Sequence, residues 1–279
     1  TRAKRFYIRL LTVVITALSL ACSGKNADRQ LPSRGICAHR GAMATHPENT
    51  IAAFKEAIRV GVHMIEFDVY MTKDSALIVI HDATLDRTTN GSGKVAEHTL
   101  AEIKALDAGS WKDARFAGER VPTLDEVLDI MPRNIWLNIH LKDSPTVGKK
   151  IAHHLQKTGR IHQAFLACNL QTKAFVQMAV PNVLVCNMER QENVADYVHQ
   201  TIANRADFIQ LRKNSLETVG QVLPLLLEHK IITNYFGTDD PALIKTLLEM
   251  GVHFVVVNDP ASAMAIVADM GVQPVTPIY

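Results

Sequence analysis

Cysteine is scarce: the 279 residues hold only four. Cys37, Cys168 and Cys186 each sit in a short apolar run, GICAHRG, AFLACNL and NVLVCNM. That setting predicts buried free thiols rather than a disulfide framework, and the spacings match no zinc pattern. A basic excess is also missing, with 30 Lys and Arg against 28 Asp and Glu. Nucleic acid, which is held largely by neutralising phosphates, is therefore not an expected partner. Tandem repeats and low-complexity tracts are absent, so the chain is not a repeat array. The one long apolar run, LLTVVITALSLA, is too short to span a bilayer comfortably as a mature helix.

That run follows Arg2, Lys4, Arg5 and Arg9 and ends in LSLAC, with a small residue before Cys22. A positive stretch followed by an apolar one predicts an export signal over residues 1–21. LSLAC resembles a bacterial lipoprotein cleavage site. The expectation is a lipid anchor on Cys22, a polar tether over 22–34, and an exported protein of the periplasm or outer membrane of a bacterium. An ordinary signal peptide or an uncleaved anchor is the alternative. Removing the signal takes away four basic residues and leaves 26 basic against 28 acidic. Residues 35–279 have the size of one large domain, and α/β barrels commonly have that size.

From residue 35 onward, short β-rich runs alternate with helical patterns. Strands are predicted at 36–40, 64–70, 77–81, 135–141, 164–168, 183–187, 207–211, 230–235 and 253–258. PENTIAAFKEAIRVG sets Ile51, Phe54 and Ile58 on one helical face and stops at Gly61. Thr99 with Glu102, and Thr123 with Glu126, form capping boxes. DDPALIKTLLEMG and NDPASAMAIVADMG each place Asp before Pro at a helix start and Gly at its end. The alternation predicts an α/β fold, a (β/α)8 TIM barrel of parallel strands with helices outside. Nine strands are one too many for eight. The link from 64–70 to 77–81 is too short for a helical crossover, so a hairpin turning near Lys73 to Ser75 is the simpler reading, with Asp68 almost opposite His81. A helix-free crossover stays open. Residues 83–122 are rich in Gly, Thr and charge and read as a small insertion beside the site.

Sites of such barrels collect at the C-terminal strand ends. His39 and Arg40 end the first strand. Glu66 and Asp68 share one face of the second, and Asn138, His140 and Lys142 share one face of a later strand, because side chains alternate with period two. Two carboxylates on one inward face repel each other unless a cation lies between them, and oxygen ligands favour Mg²⁺ or Ca²⁺. Arg40 can clamp phosphate oxygens in a fork, and Lys142 adds a point charge. One of two histidines can take a proton while the other protonates a leaving oxygen. This is the equipment for metal-assisted phosphodiester cleavage.

The stretch AHRGAMATHPENTIAAFKEAIRVGVHMIEFDVYMTKDSALIVIHDATLDRTTNGSG resembles the glycerophosphodiester phosphodiesterases, of the phosphatidylinositol phospholipase C-like barrels. The shared elements are HRG, PENT, ExDV, the T-x-D turn, then HD with LDRTT. VPTLDEVL and LNIHLK continue the likeness to about residue 143, and GVHFVVVNDP resembles the last strand. The resemblance implies a (β/α)8 barrel with a small insertion after HD. It implies His39 and His81 as the acid/base pair, Arg40 on phosphate, and Glu66 and Asp68 on the metal. The implied substrates are small deacylated diesters such as glycerophosphocholine, giving glycerol 3-phosphate and an alcohol.

Two positions depart from that pattern. The family has Glu where this chain has His140; an imidazole removes one negative charge and predicts weaker Mg²⁺ or Ca²⁺ binding, or a shift toward Zn²⁺ or Mn²⁺. Where the family shows a Trp-Thr pair, this chain has Phe236 and Gly237, which keeps an aromatic substrate wall and loses a hydroxyl. A catalytically weakened barrel that binds phosphodiesters, and a related lipid-cleaving phospholipase, remain as alternatives. Asp82 is expected to orient a neighbour or cap the insertion, and Glu48 to cap a helix starting near Asn49 or to reach the metal shell. Trp111 is expected to pack the insertion, and His46, His63, His98, His153 and His154 to lie on the surface.

Overall fold

A computed structural model describes residues 31–142 and 145–279. The expected signal (1–21), Cys22 and the tether up to residue 30 lie outside the described residues. Among the described residues, eight parallel strands close a barrel. In order round the barrel they are β1 (Gly35–His39), β2 (Met64–Met71), β4 (Trp136–Leu141), β5 (Ala164–Cys168), β6 (Leu184–Asn187), β7 (Phe208–Arg212), β8 (Ile232–Phe236) and β9 (Phe254–Val257), and β9 pairs back onto β1. The remaining strand, β3 (Leu77–Val79), runs antiparallel to the far end of β2, beyond the point where β1 stops. The hairpin reading therefore holds, and the turn residue Ser75 takes a left-handed conformation. The strands pair about Asp74, within the expected turn, so His81 stands one residue from the position opposite Asp68. Ile80 N–H donates to the carbonyl of Asp68 at 3.0 Å, so Ile80, not His81, faces Asp68.

The helices carry the termini that the sequence predicts. Thr50 caps α1 (Ile51–Arg59), and both predicted capping boxes form, at α2 (Leu100–Lys104) and α3 (Leu124–Ile130). Helix α4 (Pro145–Lys157) follows β4, and α5 (Leu170–Ala179), α6 (Val194–Ala203) and α7 (Leu216–Glu228) follow β5 to β7. Asp240 and Asp259 cap α8 (Pro241–Met250) and α9 (Pro260–Ala268), each with proline at the first position. The outward strand residues Ile65, Phe67, Val69, Ile139 and Leu141 join the helices in the main core. No described helix is long and apolar enough to cross a membrane.

Inside the barrel the period of two sorts chemistry by height. Met64, Trp136, Phe165, Phe208 and Phe254 pack as an apolar floor, where the Phe165 and Phe208 rings stack 3.8 Å apart. On β2, β4 and β7 the inward side chains then turn polar toward the mouth: Met64 leads to Glu66 and Asp68, Trp136 to Asn138 and His140, and Phe208 to Gln210 and Arg212, whereas Ala167 on β5 and Val256 on β9 stay apolar. Cys37, Cys168 and Cys186 are buried free thiols, and burial pushes each thiol up, that of Cys168 to about 12. His63 departs from expectation. It is buried at the barrel floor, where Nδ1 accepts from Ile36 N–H and Nε2 meets the Gln273 carbonyl. A histidine that satisfies the backbone of two segments leaves no periodic signal in the sequence.

Between β3 and α3 the chain makes its excursion. Ile78, Ile80, Leu85, Val95, Ile103, Ala108 and Val121 give it a small core of its own. Trp111 belongs to this unit, donating from Nε1 to the Ala108 carbonyl while remaining partly exposed. Lys112 and Arg115 then tie the excursion to the loop after β1, through the carbonyls of Met43 and Thr45.

Candidate active site

The HRG turn explains itself sterically. Arg40 and Gly41 both have positive φ, at 50° and 75°, and a Cβ on Gly41 would meet the Ala53 backbone at 2.7 Å. Left-handed backbone is costly for arginine and is kept where surrounding contacts over-determine it. Here Arg40 N–H donates to Glu66 Oε2 at 3.0 Å, and its guanidinium donates to Glu48 Oε1 at 2.7 Å. Asn49, also left-handed, turns its amide to Asp68 Oδ2 at 2.9 Å. Helix α1 is capped by Thr50, so Glu48 and Asn49 are freed from the capping role expected for Glu48.

Glu66, Asp68 and His140 come together as expected. One ligand atom of each lies within 4.8 Å of the others. His140 Nδ1 is 3.7 Å from Glu66 Oε1 and 3.4 Å from Asp68 Oδ1, close to the spacing of neighbouring ligands round one ion. Asp68 is fully buried, and its Oδ1 makes no hydrogen bond although Lys142 Nζ approaches to 3.1 Å. A buried carboxylate calls for positive charge beside it, which Lys142 supplies here and which a divalent ion among the three donor groups would share. The donor set of two carboxylates and one imidazole therefore fits a divalent ion. Burial pushes the Asp68 carboxyl up, but the His140 ring and the charges of Lys142 and Arg40 outweigh it and hold the group well below the usual range.

His39, beside this cluster, and His81, just beyond β3, are each oriented from behind. His39 Nδ1 lies 2.8 Å from Asn258 Oδ1. The Asn258 amide cannot be reversed, because its Nδ2 donates to Asp239 Oδ2 at 2.7 Å. His39 therefore carries its proton on Nδ1 when neutral and turns Nε2 toward Glu66, 4.0 Å away. His81 Nδ1 donates to Asp82 Oδ1 at 2.6 Å, which again leaves Nε2 free. Asp82 thus orients its neighbour, the first of its two expected roles. The Phe236 ring meets the His39 ring edge-on at 4.8 Å, as a wall. Gly237 beside it has φ of 110°, so a side chain there would be strained and would strike Lys213.

One network escaped the sequence reading. Arg87 donates to both oxygens of Glu48 at 2.9 and 2.7 Å and to both oxygens of Asp82 at 2.6 and 3.1 Å. The insertion thereby reaches Arg40 through Glu48 and His81 through Asp82. Burial pushes the Glu48 carboxyl up, and the two arginines outweigh it, leaving it below the usual range. Arg87, Asn49 and Asn258 lie within the quoted motifs LDRTT, PENT and NDP, but no periodicity marks a residue whose partner is another side chain.

The family model of the glycerophosphoryl diester phosphodiesterases matches residues 39–275. A glycerophosphodiester phosphodiesterase of Bacillus subtilis (strain 168) is 32% identical over 279 residues, covering 90% of this chain and 92% of the relative. One from Caldanaerobacter subterraneus subsp. tengcongensis is 54% identical over 123 residues, 44% of this chain and 51% of that protein. Among solved structures, a glycerophosphodiester phosphodiesterase from Agrobacterium tumefaciens superposes with a TM-score of 0.73 at 28% identity, covering 83% of this chain and 99% of that one. An Oleispira antarctica phosphodiesterase solved with its product sn-glycerol-3-phosphate shares the fold, with a TM-score of 0.73 at 23% identity, over 84% of this chain and 96% of the other. With this match running over the site and nearly all of the barrel, the chain belongs to the glycerophosphoryl diester phosphodiesterase family.

Proposed function

We propose that the protein hydrolyses small glycerophosphodiesters to glycerol 3-phosphate and an alcohol, assisted by a divalent cation held by Glu66, Asp68 and His140. The observation that carries this reading is the convergence of those three ligand groups with Lys142, Arg40 and His39 at one barrel mouth. The full-length likeness to a Bacillus subtilis glycerophosphodiester phosphodiesterase supports it. When bound, the cation supplies Lewis-acid polarisation of the phosphoryl oxygens. Lys142 and Arg40 bind and orient the phosphate by charge and by donated hydrogen bonds. Nε2 of one histidine takes the proton of the attacking oxygen, and the protonated Nε2 of the other gives a proton to the departing alkoxide. Asp82 and Asn258 keep both rings in the required orientation.

Metal removal tests the reading. Chelated enzyme is expected to release no glycerol 3-phosphate from a diester, and added Mg²⁺, Ca²⁺, Mn²⁺ or Zn²⁺ to restore turnover; full activity after exhaustive chelation would overturn it. His140 sets which ion restores it best, because an imidazole favours Zn²⁺ or Mn²⁺ over Mg²⁺. His140→Glu is expected to tighten Mg²⁺ binding by ~10-fold or more and to loosen Zn²⁺ relative to it, as read by titration calorimetry. Export and anchoring through Cys22 belong to the same proposal, supported by the basic start and the LSLAC stretch. The mass of the mature N-terminus checks it: an unmodified Cys22 would exclude the anchor.

A further inference from the structure

The inward face of β7 runs Phe208, Gln210, Arg212, from the floor to the open rim of the mouth. Arg212 is exposed, and its guanidinium lies over the Phe236 ring, 5.7 Å from the centroid. The same ring meets His39 at 4.8 Å, so Arg212 stands one aromatic thickness from a histidine of the site. Among the described residues, no carboxylate lies within ion-pair distance of Arg212, and its side chain donates no hydrogen bond. Asp239, on the neighbouring rim, has both oxygens taken by Asn258. Lys213 follows in sequence and adds a second exposed cation. The carboxylates of β2 are thus already met by Arg40 and Lys142, while the positive charge at the end of β7 is free.

We propose that Arg212 selects the alcohol arm of the substrate, favouring diesters whose alcohol carries an anionic group over those whose alcohol carries a quaternary ammonium. This rests on the phosphodiesterase reading above. A phosphodiester held at the cation cluster has two ester arms, and the arm of variable chemistry extends to the open rim. An ammonium head group would ordinarily be held on an aromatic face by cation–π attraction. Here that face is already covered by a guanidinium, which repels a second cation. A carboxylate instead meets an unpaired fork of N–H donors able to bind it in a bidentate pair. The residue is exposed, so the preference is modest and falls with salt.

The test compares kcat/KM for the serine, ethanolamine and choline diesters of glycerol 3-phosphate, at low and high ionic strength; serine carries the same ammonium as ethanolamine, so that pair isolates the carboxylate. Wild type is expected to favour the serine diester over either of the other two by about tenfold at low salt, with the ratio shrinking as salt rises. Arg212→Ala is expected to bring the ratio near unity, mainly through KM for the serine diester. Arg212→Lys, which keeps the charge and loses the fork, is expected to fall between the two and covers the case in which alanine loosens Phe236. Equal cleavage of the serine and ethanolamine diesters by wild type, a choline preference, or a serine preference that survives Arg212→Ala would overturn the proposal alone. Failure to cleave any of the three diesters with any divalent ion would overturn the underlying reading together with it.

Discussion

Alanine at either His39 or His81 is expected to lower kcat by about 10²- to 10⁴-fold, the ordinary contribution of a positioned proton-transfer group, while leaving metal affinity close to wild type. Neither ring belongs to the set formed by Glu66, Asp68 and His140, which makes the separation measurable. Steady-state kinetics on a glycerophosphodiester and calorimetric ion titration of the same variants check it. A fall in ion affinity equal to the fall in rate would place the histidines on the metal instead. Asp82 shares in the effect through orientation. Its hydrogen bonds from Arg87 lead, with that from His81 behind, in outweighing burial, and they lower the carboxyl from 3.8 to about 2. A depressed acid contributes stability above its unfolded value and loses it as pH falls through the folded one. The carboxylate therefore stays charged above about pH 4, and any loss of rate between pH 7 and pH 5 arises elsewhere.

The second large effect is expected at Glu48. Its carboxylate is almost fully buried and receives hydrogen bonds from both Arg40 and Arg87. Glu48→Ala leaves Arg87 only Asp82 and leaves the Arg40 guanidinium, on a left-handed residue, only Asp68 as carboxylate partner. Removing one partner from hydrogen-bonded groups that keep another costs about 1–3 kcal/mol, so the urea midpoint should fall measurably. Activity should fall further than stability predicts, because Arg40 and, through Arg87 and Asp82, His81 each lose one of their supports. Glu48→Gln keeps the shape and removes the charge, and should lie between wild type and Glu48→Ala in both measurements. A Glu48→Ala protein with unchanged midpoint and rate would show that the network is incidental.

The alternation of β-rich and helical runs was enough to predict the barrel, because in a parallel barrel each strand and its helix are local elements with their own periodicity and caps. Thr99 with Glu102, and Asp240 before Pro241, carry their whole signal within four residues. The inward placing of Glu66, Asp68 and His140 was equally legible, since a period of two fixes which side chains share a face. The hairpin was legible from the length of its loop, and its turn near Ser75 from the polar residues between the two strands.

What tertiary structure alone decided is partnership. That Arg87 joins Glu48 to Asp82, that Asp239 locks the amide that orients His39, and that Arg212 covers the Phe236 ring are contacts between residues far apart in the chain. His63 looks like any other polar residue until two backbone segments are seen to close on it. By itself the sequence determined the fold, the family and which side chains share the barrel's inward face, because those follow from local periodicity and short motifs. Which side chains steady the site, and which charge is left free to meet a substrate, depends on where separate loops come to rest against one another.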